Sequence, residues 1–185
     1  EIKGYIIRYT EGEEERKWVK AIIFAESEYR QCIGSISGSF GLMMLTAGAA
    51  SDMGVGNRGD PEQNIMGGTK YYRNAVSYYK RHNDKYVLAL AEYNCGPGNV
   101  RELVRNNCEN KGIYTGCWDK VLKGITQSEK DKICWNTDNK GERYPETFNY
   151  VNLVSRCAAY YGEHPDCFDS PGKVGKEREC PASST

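Results

Sequence analysis

Trp18-Val19-Lys20-Ala21-Ile22-Ile23-Phe24-Ala25-Glu26-Ser27 is the stretch whose pattern decides the fold. Trp18, Val19, Ile22, Ile23 and Glu26 recur at i, i+3, i+4 spacing and so share one face of a helix. Upstream stands the run Glu13-Glu14-Glu15, and carboxylates favour the start of a helix through its dipole. The expectation is an amphipathic helix from Glu13 whose inward stripe ends on a carboxyl group. Burial disfavours the charged form of such a group, and a carboxyl still protonated near neutral pH can act as a general acid. Its position alone fits better a glutamate that emerges into solvent at the helix end.

Outward from this helix the signals are mostly helical. Residues 4–9 (GYIIRY) read as a short strand or an extended arm, and Cys32 to Gly41 as a glycine-rich loop. Leu42 to about Asp52 reads as a short helix. Gly54-Val55-Gly56-Asn57-Arg58-Gly59 matches G-x-G-x-x-G, but a dinucleotide fingerprint needs a strand before it, and the preceding residues read as helix. Asp60-Pro61-Glu62 opens the next helix with a capping acid and a first-turn proline. Ile65, Gly68, Tyr72, Ala75, Val76 and Tyr79 carry its buried face to about His82. A helix from Tyr86 to Asn94 stops at Cys95-Gly96-Pro97-Gly98, and Val100 to Arg105 is a further short one. Residues 108–143 carry little pattern. Pro145-Glu146 starts a last long helix through Tyr161. The expected architecture is one mostly α domain spanning 1–185, with a core of about 13–161, an N-terminal arm (1–12) and a C-terminal tail (162–185).

Composition removes several function classes. The 25 basic and 25 acidic residues cancel and are dispersed, whereas a nucleic-acid binder concentrates positive charge. No run approaches the roughly 18 apolar residues of a membrane span. The eight cysteines, Cys32, Cys95, Cys108, Cys117, Cys134, Cys157, Cys167 and Cys180, show no Cys-x2-4-Cys spacing of a zinc site. They read instead as up to four disulfides formed in an oxidising compartment, with Cys108 and Cys117 a candidate pair and Cys167 and Cys180 stapling the tail. His82 and His164 lack ligand spacing and are expected at the surface. No metal or other cofactor is expected.

Five blocks then resemble the soluble lytic transglycosylase family, relatives of goose-type lysozyme. They are Glu26-Ser27-x-Tyr29; Ser35-x-x-Gly38-x-x-Gly41-Leu42-Met43; Asp60-Pro61-Glu62-Gln63-Asn64-Ile65 with Gly68; Ala91-Glu92-Tyr93-Asn94-Cys95-Gly96-Pro97-Gly98-x-Val100; and Pro145-Glu146-Thr147-x-x-Tyr150-Val151. They occur in the family's order across about residues 18–161. The resemblance implies a lysozyme-like (goose-type) fold, disulfide-stapled here, and cleavage of the β-1,4 bond between N-acetylmuramic acid and N-acetylglucosamine in peptidoglycan glycan strands. It makes Glu26 the acid/base, which first protonates the glycosidic oxygen and then deprotonates the muramoyl 6-hydroxyl as the 1,6-anhydro ring closes. It gives Ser27 a role in positioning the sugar, places Tyr93 and Asn94 along the cleft, and brings the Tyr150 hydroxyl near the reacting centre. Such an enzyme is expected to be a secreted or periplasmic monomer.

Departures from the family pattern qualify this reading. Met44 stands where the family has glutamine, so an apolar thioether replaces an amide. Glu92 stands where it has alanine. Cys95 also replaces alanine, most simply to form a disulfide. Met44 and Glu92 together suggest an altered substrate preference, such as a de-N-acetylated, positively charged sugar. A carboxylate at Glu92 also leaves open water activation by an inverting hydrolase, which would make the chain a lysozyme. A catalytically silent glycan-binding protein is the third reading, against which the Glu26-Ser27 and Tyr93-Asn94 pairs stand.

Overall fold

The long apolar stripe forms α2 (Gly12–Ser27), and the acidic run lies in its first turn. There Glu13 pairs with Arg16 and Glu14 with Lys17. Val19, Ile22 and Ile23 are fully buried, but Trp18 is half-buried, its Nε1 donating to Glu14 at 3.1 Å. The computed structural model describes residues 1–124, 135–137 and 143–168. The other elements are α1 (Ile2–Tyr9), α3 (Ala47–Met53), α4 (Pro61–Tyr78), α5 (Lys85–Cys95), α6 (Pro97–Asn107), a 3-10 turn (Glu109–Lys111), α7 (Cys117–Gly124) and α8 (Glu146–Glu163). β1 (Trp135–Thr137) and β2 (Arg143–Pro145) form an antiparallel pair in which Asn136 faces Tyr144. The described residues are mostly helical.

Two expected elements differ. Residues 4–9 are helix rather than strand or arm. Ile2, Ile6 and Tyr9 fall on one helical face, Ile6 is fully buried, and the Tyr9 hydroxyl donates to Glu62 at 2.8 Å. The helix expected from Leu42 begins only at Ala47. Residues 41–45 are a turn, and Thr46 caps α3 by accepting from the Ala49 amide at 3.2 Å. The next helix starts at Pro61, where Asp60 Oδ1 accepts from the Gln63 amide at 2.8 Å, and ends at Tyr78, a turn earlier than expected.

The chain divides into two compact units, residues 1–71 with the segment from Leu153 onward, and residues 72–152. In the first, Leu45, Ala50 and Val55 form a small apolar cluster with Ala49, Met53 and Met66 against it. The buried Asn64 amide ties α4 to the turn before α3. Its Nδ2 donates to Phe40 O at 3.0 Å and Arg58 O at 2.8 Å, and its Oδ1 accepts from the Met43 amide at 2.8 Å. Lys20 is buried as well, its ammonium donating to Pro165 O (2.9 Å) and Cys167 O (2.7 Å) over the rings of Tyr161 and Phe168. Burial draws this ammonium below the ordinary lysine range. This lysine cage anchors the segment after α8, where a Cys167 staple was expected.

In the second unit the Cys108–Cys117 disulfide forms as expected. It closes a loop that covers the α4–α5 connection. Asn83 N donates to Tyr114 O at 3.0 Å and Trp118 N to Asp84 Oδ2 at 2.7 Å. His82 is consequently buried, against the rings of Tyr79 and Tyr114, and not at the surface as expected. His164 is exposed.

Of the described cysteines, Cys32, Cys95 and Cys167 are thiols and take no part in the up to four bridges expected. Cys95 lines a small apolar cavity with Val100, Leu103, Trp118 and Phe148, none of which is a disulfide partner. Cys157 is disulfide-bonded. Cys134, Cys180, the tail beyond Phe168 and much of 108–143 lie outside the described residues.

Candidate active site

Glu26 is the penultimate residue of α2 and is half-buried, one turn beyond the fully buried Ile22 and Ile23. The chain leaves this helix through two successive non-glycine residues in the left-handed region, Glu28 (φ 51°) and Tyr29 (φ 62°). That conformation is costly for side chains with a Cβ and persists only when surrounding contacts enforce it. Here Glu28 N donates to Phe24 O (2.9 Å), Arg30 N to Ser27 O (2.9 Å) and the Tyr29 hydroxyl back to Lys20 O (3.2 Å). The last turn, and Glu26 with it, is held from both sides.

Ser27 is 1% exposed and its hydroxyl donates to Ile23 O at 2.9 Å. This is the local bond by which a serine ends a helix, so its hydroxyl is committed to the backbone in this state. Met44 is half-buried and also left-handed (φ 47°), its amide donating to Gly41 O at 3.1 Å. The turn Gly41–Leu45 thus follows α2 on the same unit, with Gly41 (φ 86°) leaving no room for a Cβ beside Arg58 O and Asn64.

The second unit carries the remaining candidates. Tyr93 and Asn94 are half-buried near the end of α5, and the Tyr93 ring meets Tyr72 edge-on at 6.5 Å. Asn94 Oδ1 accepts from the buried Thr147 hydroxyl at 2.8 Å. An amide oxygen engaged in this way fixes which end of the side chain carries the Nδ2 donors. Tyr150 lies one turn along α8 from Thr147 and is half-buried.

Glu92 is buried within the second unit. It is 3% exposed; Arg101 donates to it through Nε (2.9 Å) and Nη2 (2.6 Å), and the Tyr79 hydroxyl donates to Oε2 at 2.9 Å. Burial first, then the Glu92 charge and hydrogen bond, push the Tyr79 phenol far above its ordinary value. The bond to Glu92 raises Arg101 as well. The Glu92 carboxyl group is thus engaged by a bidentate guanidinium and a phenol within its own unit. Thr147 and Arg101 received no role from sequence, and Tyr79 only a place on the buried face of its helix. Thr147 sits inside a quoted block, but Arg101 lies on another helix, nine residues from Glu92, and no helical spacing links them.

Solved structures share this fold. The 70-kDa soluble lytic transglycosylase in complex with bulgecin A aligns with a TM-score of 0.61 at 22% identity, over 93% of this chain and 26% of that one. An inactive mutant of the lytic transglycosylase Slt from Pseudomonas aeruginosa aligns with a TM-score of 0.62 at 22% identity, over 91% and 25%. The fold is therefore the mostly helical, lysozyme-like one of these proteins. A family profile described as Transglycosylase SLT domain matches residues 5–114. The chain belongs to that family. Among curated relatives are the membrane-bound lytic murein transglycosylases F of Shewanella loihica (31% identical over 148 residues, 78% of this chain and 31% of the relative) and Pseudomonas syringae (34% over 139 residues, 74% and 28%). The chain thus spans about a third or less of the length of these relatives. Among the described residues no helix is long and apolar enough to cross a membrane.

Proposed function

We propose that this chain is a peptidoglycan-cleaving lytic transglycosylase domain, extracytoplasmic, with Glu26 as its acid/base. The observation that carries this is Glu26 itself: a half-buried carboxyl group in the enforced last turn of an apolar helix, inside the segment matched to the family. The likeness to murein transglycosylases supports the substrate, and the Cys108–Cys117 disulfide supports an oxidising compartment. A glutamate-to-glutamine exchange defines the inactive Pseudomonas aeruginosa neighbour, in keeping with a carboxyl acid.

In this mechanism Glu26 donates its proton to the bridging glycosidic oxygen as the bond from the muramoyl C1 breaks. The N-acetylglucosamine leaves as an alcohol. Glu26, now anionic, takes the proton of the muramoyl 6-hydroxyl while that oxygen bonds to C1, and the acid is regenerated without water being consumed. Asn94, oriented by Thr147, donates from Nδ2 to the glycan; Tyr93 and Tyr150 add ring and hydroxyl contacts. Met44 offers a thioether surface to the sugar. Ser27 acts through the helix end it closes.

The engagement of Glu92 by Arg101 and Tyr79 supports transglycosylation over an inverting hydrolase, which needs a second free carboxylate. The test is digestion of defined peptidoglycan with mass spectrometry of the products. Release of anhydromuropeptides, one water lighter than reducing ones and abolished in Glu26→Gln, is the expected result. Reducing products would make the chain a lysozyme; wall binding without cleavage by either form would make it a glycan-binding protein.

A further inference from the structure

Lys20 is engaged at both its ends. It is 1% exposed, and its ammonium donates to Pro165 O (2.9 Å) and Cys167 O (2.7 Å). Its carbonyl oxygen accepts from the Tyr29 hydroxyl at 3.2 Å. One residue of α2 therefore touches both the segment that follows α8 and the turn that carries Glu26, all within the first unit.

At the side-chain end the ammonium is held by two carbonyl oxygens and by the faces of Tyr161 and Phe168, 5.0 and 4.4 Å from their centroids. Burying an ammonium is costly unless it is well partnered, so only a narrow set of positions suits it. The segment presents those carbonyls from a turn of its own, in which His164 N donates to Tyr160 O (2.9 Å) and Cys167 N to His164 O (3.1 Å). At the carbonyl end, Tyr29 is the second of two successive left-handed residues, a conformation that persists only when contacts enforce it. Its hydroxyl reaches back nine residues. That is one turn deeper into α2 than Phe24 O, the acceptor for Glu28 N.

We propose that Lys20 and Tyr29 are positioning residues for Glu26. The segment after α8 fixes Lys20 within α2, and Lys20 O, through the Tyr29 hydroxyl, fixes the turn on which Glu26 is carried. A segment 145 residues from Lys20 along the chain thereby governs the rate of cleavage without touching substrate. The catalytic half of this rests on Glu26 being the acid; the strut from segment to turn does not.

The experiment uses the full chain and two readouts: amide hydrogen exchange at Glu28 and Arg30, and the kinetics of muropeptide release per folded molecule. Tyr29→Phe deletes the hydroxyl, Phe168→Ala removes one face of the cage, and Lys20→Met removes the charge while keeping most of the side chain's length. In each variant exchange at both amides should quicken by about fivefold or more, as for loss of one hydrogen bond. The kcat should fall by about tenfold to a hundredfold, as for a small misplacement of a reacting group, with KM unchanged. Tyr29→Phe combined with Phe168→Ala should lower kcat no further than the stronger single variant, because both cut the same strut. A role in stability alone would leave kcat per folded molecule unchanged. Unchanged exchange, faster exchange with unchanged kcat, or additive losses in the double variant would overturn the proposal. A wild type that releases no muropeptides would sink the proposed function, while the exchange rates would still decide the strut.

Discussion

Arg101 grips Glu92 by its Nε and Nη2 at 2.9 and 2.6 Å and lays its guanidinium over the Tyr78 ring, 3.9 Å from the centroid. The pair joins α5 to α6 beside the Tyr93-Asn94 step. Removing one member of a buried ion pair leaves the other charge uncompensated, at a cost of about 3–5 kcal/mol. With 34% of its own side chain exposed, Arg101 belongs at the low end of that range. Arg101→Met should therefore lower unfolding free energy by about 3 kcal/mol. Glu92→Ala combined with Arg101→Met, which removes both charges, should cost clearly less. Urea denaturation of the two single variants and the double gives the coupling; additive losses would mean that the pair contributes no stability as a pair.

The Tyr79 phenol sets the alkaline limit of the second unit. Its pKa is raised in the folded chain, chiefly by burial and then by Glu92, while in the unfolded chain it stays near the ordinary 10.0. A raised folded value stabilises fully below the unfolded one and is lost as pH rises above it. Stability should accordingly fall above pH 10 as the unfolded chain sheds a proton that the folded chain keeps. Tyr79→Phe should flatten that decline while losing the bond to Glu92 at every pH. Thermal melts across pH 8–11, roughly spanning the phenol range, check this.

These contacts also mark where sequence reading stops. The helical stripe of α2, the Asp60-Pro61 start of α4 and the Cys95–Gly98 break were legible because each is local: periodicity, a cap, a turn. The candidate site was legible as blocks, with Glu26 at its helix end and Tyr93-Asn94 at the end of α5. What could not be read was pairing between distant segments. Glu92 read as an unmatched charge because Arg101 lies on another helix. His82 read as surface because the loop closed by Cys108–Cys117 covers it. Residues 4–9 read as a strand or an extended arm because four apolar residues in six suit either period, and only packing chose.

Thr147 donates its hydroxyl to Asn94 Oδ1 at 2.8 Å, which fixes which end of the amide is left to donate. Thr147→Val keeps the shape and deletes the donor. It should cost about 1 kcal/mol of stability and, if Asn94 donates to the glycan, lower kcat by about tenfold, the equivalent of one misplaced hydrogen bond. Thr147→Ser should recover most of the rate. Muropeptide release rates compared at equal folded fraction separate the two effects; a rate unchanged in Thr147→Val would mean that the Asn94 orientation is irrelevant to cleavage.

Gly38 and Gly41 share the same backbone angle, φ 86°, but not the same surroundings. A Cβ at Gly38 would meet nothing within 4 Å, whereas one at Gly41 would lie 2.6 Å from Arg58 O and closer still to the Asn64 amide. Gly38→Ala should therefore cost only the left-handed strain of an L-residue, about 1–2 kcal/mol. Gly41→Ala adds a collision with backbone and with the amide that ties α4 to this turn, so the loss should be larger by about 1–3 kcal/mol, the usual range for overpacking. Calorimetric melting of the two variants decides this. Equal losses would show that strain, and not the Asn64 clamp, requires glycine at position 41.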